Sequence, residues 1–246
     1  MGLTIHYDLK TDLQKPKDVR QLVEAIRQHA LNLPFAEVGE VKEFKGAEAT
    51  FENRDDSDRF LKLASAIIVP DGMKLHGINP SHIIAFLTMP GEGSEPAIFG
   101  FCKYPSQATL PSGKKMTTDK QGWCRSAFCK TQYASDPKCG GVENFLRCHL
   151  AIVKLLDFIK ATGLATVEVE DEGGYWKHRD IKQLTTDIGK WNILVAGAIS
   201  AFRSTLEGEE GSFQAPITGF PNFEHLEAKG LERIADLRRK LDQSEE

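Results

Sequence analysis

The periodicity of the apolar residues changes part-way along this 246-residue chain, and this change limits the possible folds more than any other feature. Up to about Tyr133, apolar and polar side chains alternate in several short segments, which is typical of half-buried strands. From Val142 onwards, apolar residues recur every three or four positions, as on the buried face of a helix. Because strands come first and helices later, we predict an α+β protein instead of a doubly wound one.

The first part of the chain, residues 1–138, is predicted to be a sheet-rich unit with a mixed or antiparallel sheet. Leu3–Leu9 alternates along its whole length, and Pro16 suits the first turn of the helix that follows. His82–Met89 and Ala97–Tyr104 are separated by a loop rich in glycine and proline, which predicts a β-hairpin. The first hundred residues are compatible with a ferredoxin-like β-α-β-β-α-β unit.

The second part, residues 139–206, is predicted to form a long helical hairpin packed on the sheet within the same domain. A C-terminal helix over 222–243 follows after a loop. The second helix of the hairpin carries an apolar seam with spacings of three and four, which is typical of paired helices. We call it the seam helix, and its apolar residues are Ile181, Leu184, Ile188, Trp191, Val195, Ala198 and Phe202. A homodimer built on such a helix makes a homo-oligomeric interaction protein one functional alternative.

Composition restricts the partners and the compartment. The formal net charge of −4 excludes a globally basic nucleic-acid binder, so no nucleic-acid partner is expected. No apolar run approaches the ~20 residues that span a bilayer, so no membrane partner is expected either. The first ten residues have neither a basic lead nor an apolar core, which favours a cytoplasmic protein with free thiols.

A basic and aromatic stretch is the main candidate for function. Lys103–Lys138 carries seven basic and two acidic residues, a local charge of +5 in an acidic chain. Glycines that precede a helix expose backbone N–H groups to an anion, and aromatic rings on a strand can stack on a ligand. We therefore predict a site for a small anionic ligand, phosphorylated or nucleotide-like, at Trp123, Arg125, Lys130, Tyr133, Lys138, Gly140 and Gly141. The sequence identifies no cofactor.

Cysteine chemistry is the alternative for the same stretch. Cys129 as a thiolate nucleophile and His149 as its base would make an enzyme that acts on a small molecule. Metal binding is the weaker possibility, because the cysteines have no C-x2-C spacing and strand alternation separates the first two of them. We therefore predict no metal site, and the weak candidate ligands are Cys124, Cys129, Cys139 and Cys148.

The acidic and aromatic segment Glu170–Asp180 receives no role from the sequence. If the two helices of the hairpin pair antiparallel, this segment lies about 30 Å from Gly141 along a ~20-residue helix. We therefore expect it not to share a site with the basic stretch.

Overall fold

A seven-stranded antiparallel sheet forms the centre of the structure, a computed structural model that describes residues 3–51, 55–71, 74–118, 120–205 and 216–242. In the described residues the strands are β1 (Thr4–Thr11), β2 (Glu37–Val38), β3 (Lys42–Lys45), β4 (Ile67–Asp71), β5 (Lys74–Ile78), β6 (His82–Met89), β7 (Ala97–Lys103), β8 (Gln107–Thr109), β9 (Lys115–Thr117), β10 (Trp123–Lys130) and β11 (Thr166–Asp171). The helices are α1 (Pro16–Ala30), α2 (Arg59–Leu63), α3 (Gly141–Ala161), α4 (Tyr175–His178), α5 (Ile181–Thr205) and α6 (Phe223–Asp242). The predicted α+β class, with an antiparallel sheet first and helices later, is confirmed.

The sheet contains a ferredoxin-like unit, but this unit takes up far more chain than the first hundred residues. The strand order is β11-β1-β10-β7-β6-β2, with β3 also paired to β6. Taken in chain order, β1, α1, β7, β10, α3 and β11 form a β-α-β-β-α-β unit whose strands lie in the order β11-β1-β10-β7. The strands β2 to β6 are inserted between α1 and β7, and β6, β2 and β3 extend the sheet beyond β7. The pairs β4–β5 and β8–β9 form two further small sheets.

One face of the sheet is covered by α1 and α3, which together bury the largest apolar cluster. Pro16 begins α1, and the apolar side of α1 includes Leu22 and Ile26. Leu156 of α3 and Tyr7 of β1 belong to the same cluster. Burial of a large aliphatic side chain contributes about 1.5–3 kcal/mol, so this helix-covered face supplies most of the hydrophobic stabilisation.

The opposite face is only partly covered. Under the short helix α2, Leu61 packs with Ile83, Ala85, Ile98 and Cys102 in a second apolar cluster. The same face of β1 and β11 is open to solvent and presents polar side chains. The alternation predicted for β1 thus separates one buried face from one exposed face.

The long helix pair differs from the predicted one. The hairpin was predicted within 139–206, yet α3 lies on the sheet beside α1, and the chain then returns to the sheet as β11. The seam helix α5 is instead paired most extensively with α6. They meet where Gly197 of α5 lies against Gly230 of α6. Sequence periodicity identifies a helix that needs a partner but not which helix fills that place.

Other parts of the α5 seam are also covered within the chain. Leu184 and Ile188 pack with Phe145 of α3, and Ile199 packs with Leu226 of α6. The homodimer predicted from this seam is therefore not required to bury it. The loop predicted after residue 206 lies largely outside the described residues. No helix in the described ranges is long and apolar enough to cross a membrane.

The two glycines of α5 supply a test of the α5–α6 contact. A Cβ at Gly197 would collide with the Gly230 backbone, so Gly197→Ala should lower the free energy of unfolding by about 1–3 kcal/mol. Gly189 has no neighbour within 4 Å of an added Cβ, so Gly189→Ala should raise it by up to about 1 kcal/mol. Urea denaturation of both variants measures the difference. Equal effects would contradict the close crossing.

Candidate functional site

Regular pairing between β7 and β10 stops shortly after it begins. Their ladder contains only Trp123 with Lys103 and Cys124 with Cys102. At the far end the two chains are again hydrogen-bonded, where the N–H of Glu95 donates to the carbonyl of Lys130 at 3.0 Å. Between these two points the ladder is interrupted, and we call this interruption the gap, whereas β10 pairs with β1 along its whole length.

Gly100 explains where the pairing stops. If the register of Cys124 with Cys102 continued, the next two residues opposite each other on the α2 side of the sheet would be Ser126 and Gly100. The φ of Gly100 is 136°, in the left-handed region, and an added Cβ would collide with the Ile84 carbonyl of β6. Only glycine fits this backbone, and a glycine of this kind commonly marks a bend in a strand. The bend in β7 therefore coincides with the start of the gap.

Arg125 occupies the gap. Its register partner on β1 is Leu9, which faces the helix-covered side of the sheet. Its Nη2, however, donates to Ser65 Oγ at 2.8 Å and to Cys102 Sγ at 3.1 Å, on the α2 side. The side chain therefore begins on the helix-covered side of the sheet, and its guanidinium reaches the α2 side at the gap. Ser65 has no sequence signal of its own, because only the fold brings it to Arg125.

The site is rich in hydrogen-bond donors that have no acceptor. Arg125 is 1% exposed and Trp123 is fully buried. Within the described residues, the buried side-chain nitrogen and oxygen atoms without a partner are Trp123 Nε1, Arg125 Nε and Arg125 Nη1. No carboxylate in the described residues forms an ion pair with Arg125. Each such donor costs about 1–3 kcal/mol when it is left unpaired, and the guanidinium stays charged in proteins.

A cleft of about 480 Å³ opens on the α2 side of the gap. Its lining is mostly apolar and comes from the α2 region, from β7 and from β10: Phe60, Ala64, Ala66, Ile98, Ala127 and Phe128. Glu95 and Ser126 supply its polar edge. Ser65, the hydrogen-bond partner of Arg125, lies between the two lining alanines of the α2 region. The guanidinium therefore lies directly behind the wall of the cleft.

The other predicted anion-binding residues lie at the far end of β10 or beyond it. Lys130 is about 16 Å along the strand from Arg125, and its Nζ lies 5.6 Å from the ring centroid of Tyr133. Tyr133 is not on the strand, because Gln132–Ser135 forms a 3-10 turn. Lys138 Nζ donates to the carbonyl of Gly219 at 3.0 Å. The predicted set thus divides into two groups.

Gly140 and Gly141 belong to the second group, at the start of α3. Both have positive φ values, 103° and 66°, and Gly140 is the N-cap residue. Their conformation allows the chain to turn into the helix. Asn144 of the first helical turn donates from Nδ2 to the carbonyls of Glu92 and Ala134. This helix start is therefore tied to neighbouring loops.

Cys129 and His149 do not form the predicted nucleophile–base pair through a hydrogen bond. The Sγ of Cys129 donates to the carbonyl of Glu95 at 3.1 Å. Burial raises the pKa of Cys129 to about 12, although a hydrogen bond from Ser94 acts in the opposite direction. A buried thiol of this kind is a poor nucleophile at neutral pH.

His149 instead joins a buried polar chain with Thr131 and Asp171. Its Nε2 lies 3.3 Å from Asp171 Oδ2, and its Nδ1 lies 3.1 Å from Thr131 Oγ1. Because a carboxylate only accepts, Nε2 donates to Asp171, and Nδ1 shares a hydrogen bond with the threonine hydroxyl. Asp171 also accepts from the N–H groups of Gly173 and Trp176.

This polar chain places Asp171, in the Glu170–Asp180 segment, beside His149 of α3, which is closer to Gly141 than the expected 30 Å along a ~20-residue helix. The strand β11 returns along α3 to the edge of the sheet, and Asp171 at its end reaches the middle of the helix. Burial acts to raise the pKa of Asp171, but the hydrogen bond and charge of His149 and the two backbone N–H groups hold it below its usual value. The side chains of His149 and Asp171 are 0% and 1% exposed, so this array supports the fold and offers no surface to a substrate.

The cysteines are dispersed. Cys124 lies in the apolar cluster under α2, whereas Cys129 lies in the cluster covered by α1 and α3. All five cysteines are free. In the described residues no group of three or more His, Cys, Asp and Glu side chains is arranged to hold a metal ion.

Comparisons of the chain with protein-family models, with curated proteins and with solved structures found no match. The fold and the site therefore describe an α+β protein that has a gap in the pairing of its sheet and a buried guanidinium at that gap.

The buried Asp171 predicts a specific pH dependence. Its folded pKa is below the unfolded value of about 3.8, so its stabilisation is present above pH 4 and is lost as the pH falls through the folded pKa. Asp171→Asn should therefore lower the free energy of unfolding by about 2–4 kcal/mol at pH 7, and by progressively less below pH 4. Denaturation across pH 2.5–7 measures this, at about 0.5-unit steps.

Asp157→Asn is the matched control for Asp171→Asn. Asp157 pairs with Arg179 at the surface, where both side chains are more than 40% exposed. Its removal should cost at most about 1 kcal/mol. If the two variants have the same effect at pH 7, the assigned role of Asp171 is wrong.

Thiol reactivity tests the environment of Cys129. Burial raises the pKa of Cys129 to about 12 and that of Cys148 to about 11. In the native protein at about pH 8, iodoacetamide should leave both unlabelled, while the partly exposed Cys139 reacts first. Peptide mass spectrometry after timed labelling measures this, with unfolded protein as the positive control. Rapid native labelling of Cys129 would restore the nucleophile hypothesis.

Proposed function

We propose that this protein binds a small anionic ligand and that Arg125 holds its negatively charged group. The observation that carries the proposal is the pair of buried guanidinium nitrogens without acceptors, Arg125 Nε and Nη1. Trp123 Nε1 also lacks an acceptor, but Trp123 belongs to the cluster covered by α1 and α3, whereas the guanidinium meets Ser65 and Cys102 on the α2 side. A carboxylate or phosphate can accept from Nε or Nη1 together with Nη2, and it also neutralises the guanidinium.

The surroundings of Arg125 favour an external anion over an internal partner. A buried charge is normally paired, because its desolvation costs several kcal/mol. The acceptors that contact Arg125 are a serine hydroxyl and a cysteine sulfur, and neither of them is a carboxylate. Tyr104, whose hydroxyl donates to the carbonyl of Ser65, brings no negative charge because burial raises its pKa. The charge of the guanidinium is thus left for a ligand to balance.

Arg125→Met provides the first test, because it separates stability from binding. Methionine has a similar length and needs no acceptor, so the ligand-free variant should be more stable than the wild type by about 1–3 kcal/mol. Inorganic phosphate and acetate should raise the melting temperature of the wild type, since a ligand stabilises the state that binds it. Neither anion should do so in Arg125→Met. Differential scanning calorimetry at constant ionic strength measures both effects.

Lys103→Met is the control. It also removes one positive charge near β10, but Lys103 is exposed on β7. Its stability should change by no more than about 0.5 kcal/mol, and its response to both anions should match that of the wild type. If Arg125→Met is less stable than the wild type and responds to anions equally, the proposal is wrong.

A further inference from the structure

We infer that the ligand is an organic monocarboxylate with an apolar body, whose body occupies the cleft beside Arg125. This inference rests on the proposed function, and it adds the chemical class of the ligand. Nothing in the composition of the chain indicates it, because the basic stretch alone favours a phosphorylated or nucleotide-like ligand.

The cleft determines the body of the ligand. Its volume of about 480 Å³ lies within the range of small-molecule sites, and its walls are chiefly aliphatic and aromatic. Ala127 lines it from the helix-covered side of β10, and Phe128 lines it from the other side. The cleft therefore reaches β10 beside the gap, and Arg125, which does not line it, lies behind Ser65 between the lining Ala64 and Ala66. An apolar chain or ring in it would leave water on binding, which contributes about 25 cal/mol per Å² of buried area.

The charges determine the head group. One guanidinium matches one carboxylate, since its planar fork donates two parallel hydrogen bonds to the two oxygens. No lysine lines the cleft, and the carboxylate of Glu95 stands at its edge. A phosphorylated ligand with two negative charges would therefore meet one cation and one anion. A monocarboxylate balances the charge of Arg125 and carries no surplus towards Glu95.

The wall between the cleft and Arg125 is the part that has to move. The hydrogen bond from Arg125 Nη2 to Ser65 Oγ holds this wall in place. A carboxylate can replace the serine hydroxyl and accept a stronger, charge-assisted bond from the same nitrogen. The shift also has to preserve or replace the hydrogen bonds of the buried Ser65 with Tyr104 and Leu61, while the adjoining α2 places only Leu61 in the core.

Calorimetric titration with acetate, hexanoate, 1-hexanol and inorganic phosphate tests this inference. Each buried CH₂ is worth about 0.8 kcal/mol, which is roughly a fourfold change in affinity. Hexanoate should therefore bind on the order of 100-fold more tightly than acetate, and more tightly than hexanol or phosphate. Arg125→Met should abolish the binding of both carboxylates.

Two variants of the cleft separate the body of the ligand from its head group. Phe60→Ser removes an exposed wall residue and should weaken hexanoate on the order of tenfold without changing acetate. Phe128→Ser removes a second exposed wall residue, which is compatible with folding, and should also weaken hexanoate alone. Leu31→Ser, at a residue away from the cleft that is as exposed as Phe60, is the matched control and should leave all affinities unchanged.

The outcomes distinguish the two proposals. If acetate or phosphate binds as tightly as hexanoate, requires Arg125 and is unaffected by both cleft variants, the monocarboxylate inference is overturned and anion binding stands. If no anion binds, or if binding does not depend on Arg125, both proposals are overturned. If hexanol binds as tightly as hexanoate, the cleft is a neutral apolar site and the inference is wrong.

Discussion

The pairing of β1 with β10 is the constraint on which the rest of the structure depends. It joins eight residues near the start of the chain to eight residues at its middle, Thr4–Thr11 with Trp123–Lys130. With β1 fixed to one edge of β10 along its full length, the other edge of β10 can diverge from β7 without loss of the sheet. The gap, the crossing side chain of Arg125 and the cleft all follow from this asymmetry.

Two buried polar arrangements differ in whether their hydrogen-bonding groups have partners. In the chain of Thr131, His149 and Asp171, the ring nitrogens and both carboxylate oxygens have partners, so the charge of Asp171 is accommodated at little cost. Two guanidinium nitrogens of Arg125 have none, and neither does the indole N–H of Trp123 on the helix-covered side. The incomplete network of Arg125 lowers the stability of the fold, because its buried donors have no acceptors. Binding sites commonly carry such a cost, because the groups that meet a ligand cannot all be satisfied without it.

Several sequence predictions depend on local pattern, and these agree with the structure. Alternation along β1 and β10 separates the faces correctly, so that Cys124 and Cys129 lie in different clusters. Pro16 begins the first helix, and the hairpin of β6 and β7 lies where the glycine- and proline-rich loop predicts it. Predictions that join distant segments agree less well. The partner of the α5 seam is α6, and Asp171 contacts His149 near the middle of α3, whereas its segment was expected about 30 Å from Gly141 along a ~20-residue helix.

The sequence by itself determined the α+β class, the faces of the individual strands and helices, and the presence of arginine and tryptophan on one face of β10. These properties depend on side-chain periodicity over a few residues, which can be recognised in the sequence alone. Only the tertiary structure decided that β7 bends at Gly100, that Ser65 meets Arg125, and that no acid among the described residues pairs with the guanidinium. Those facts depend on contacts between segments far apart in the chain, 60 residues for Ser65 and Arg125, and local periodicity carries no information about neighbours at that distance.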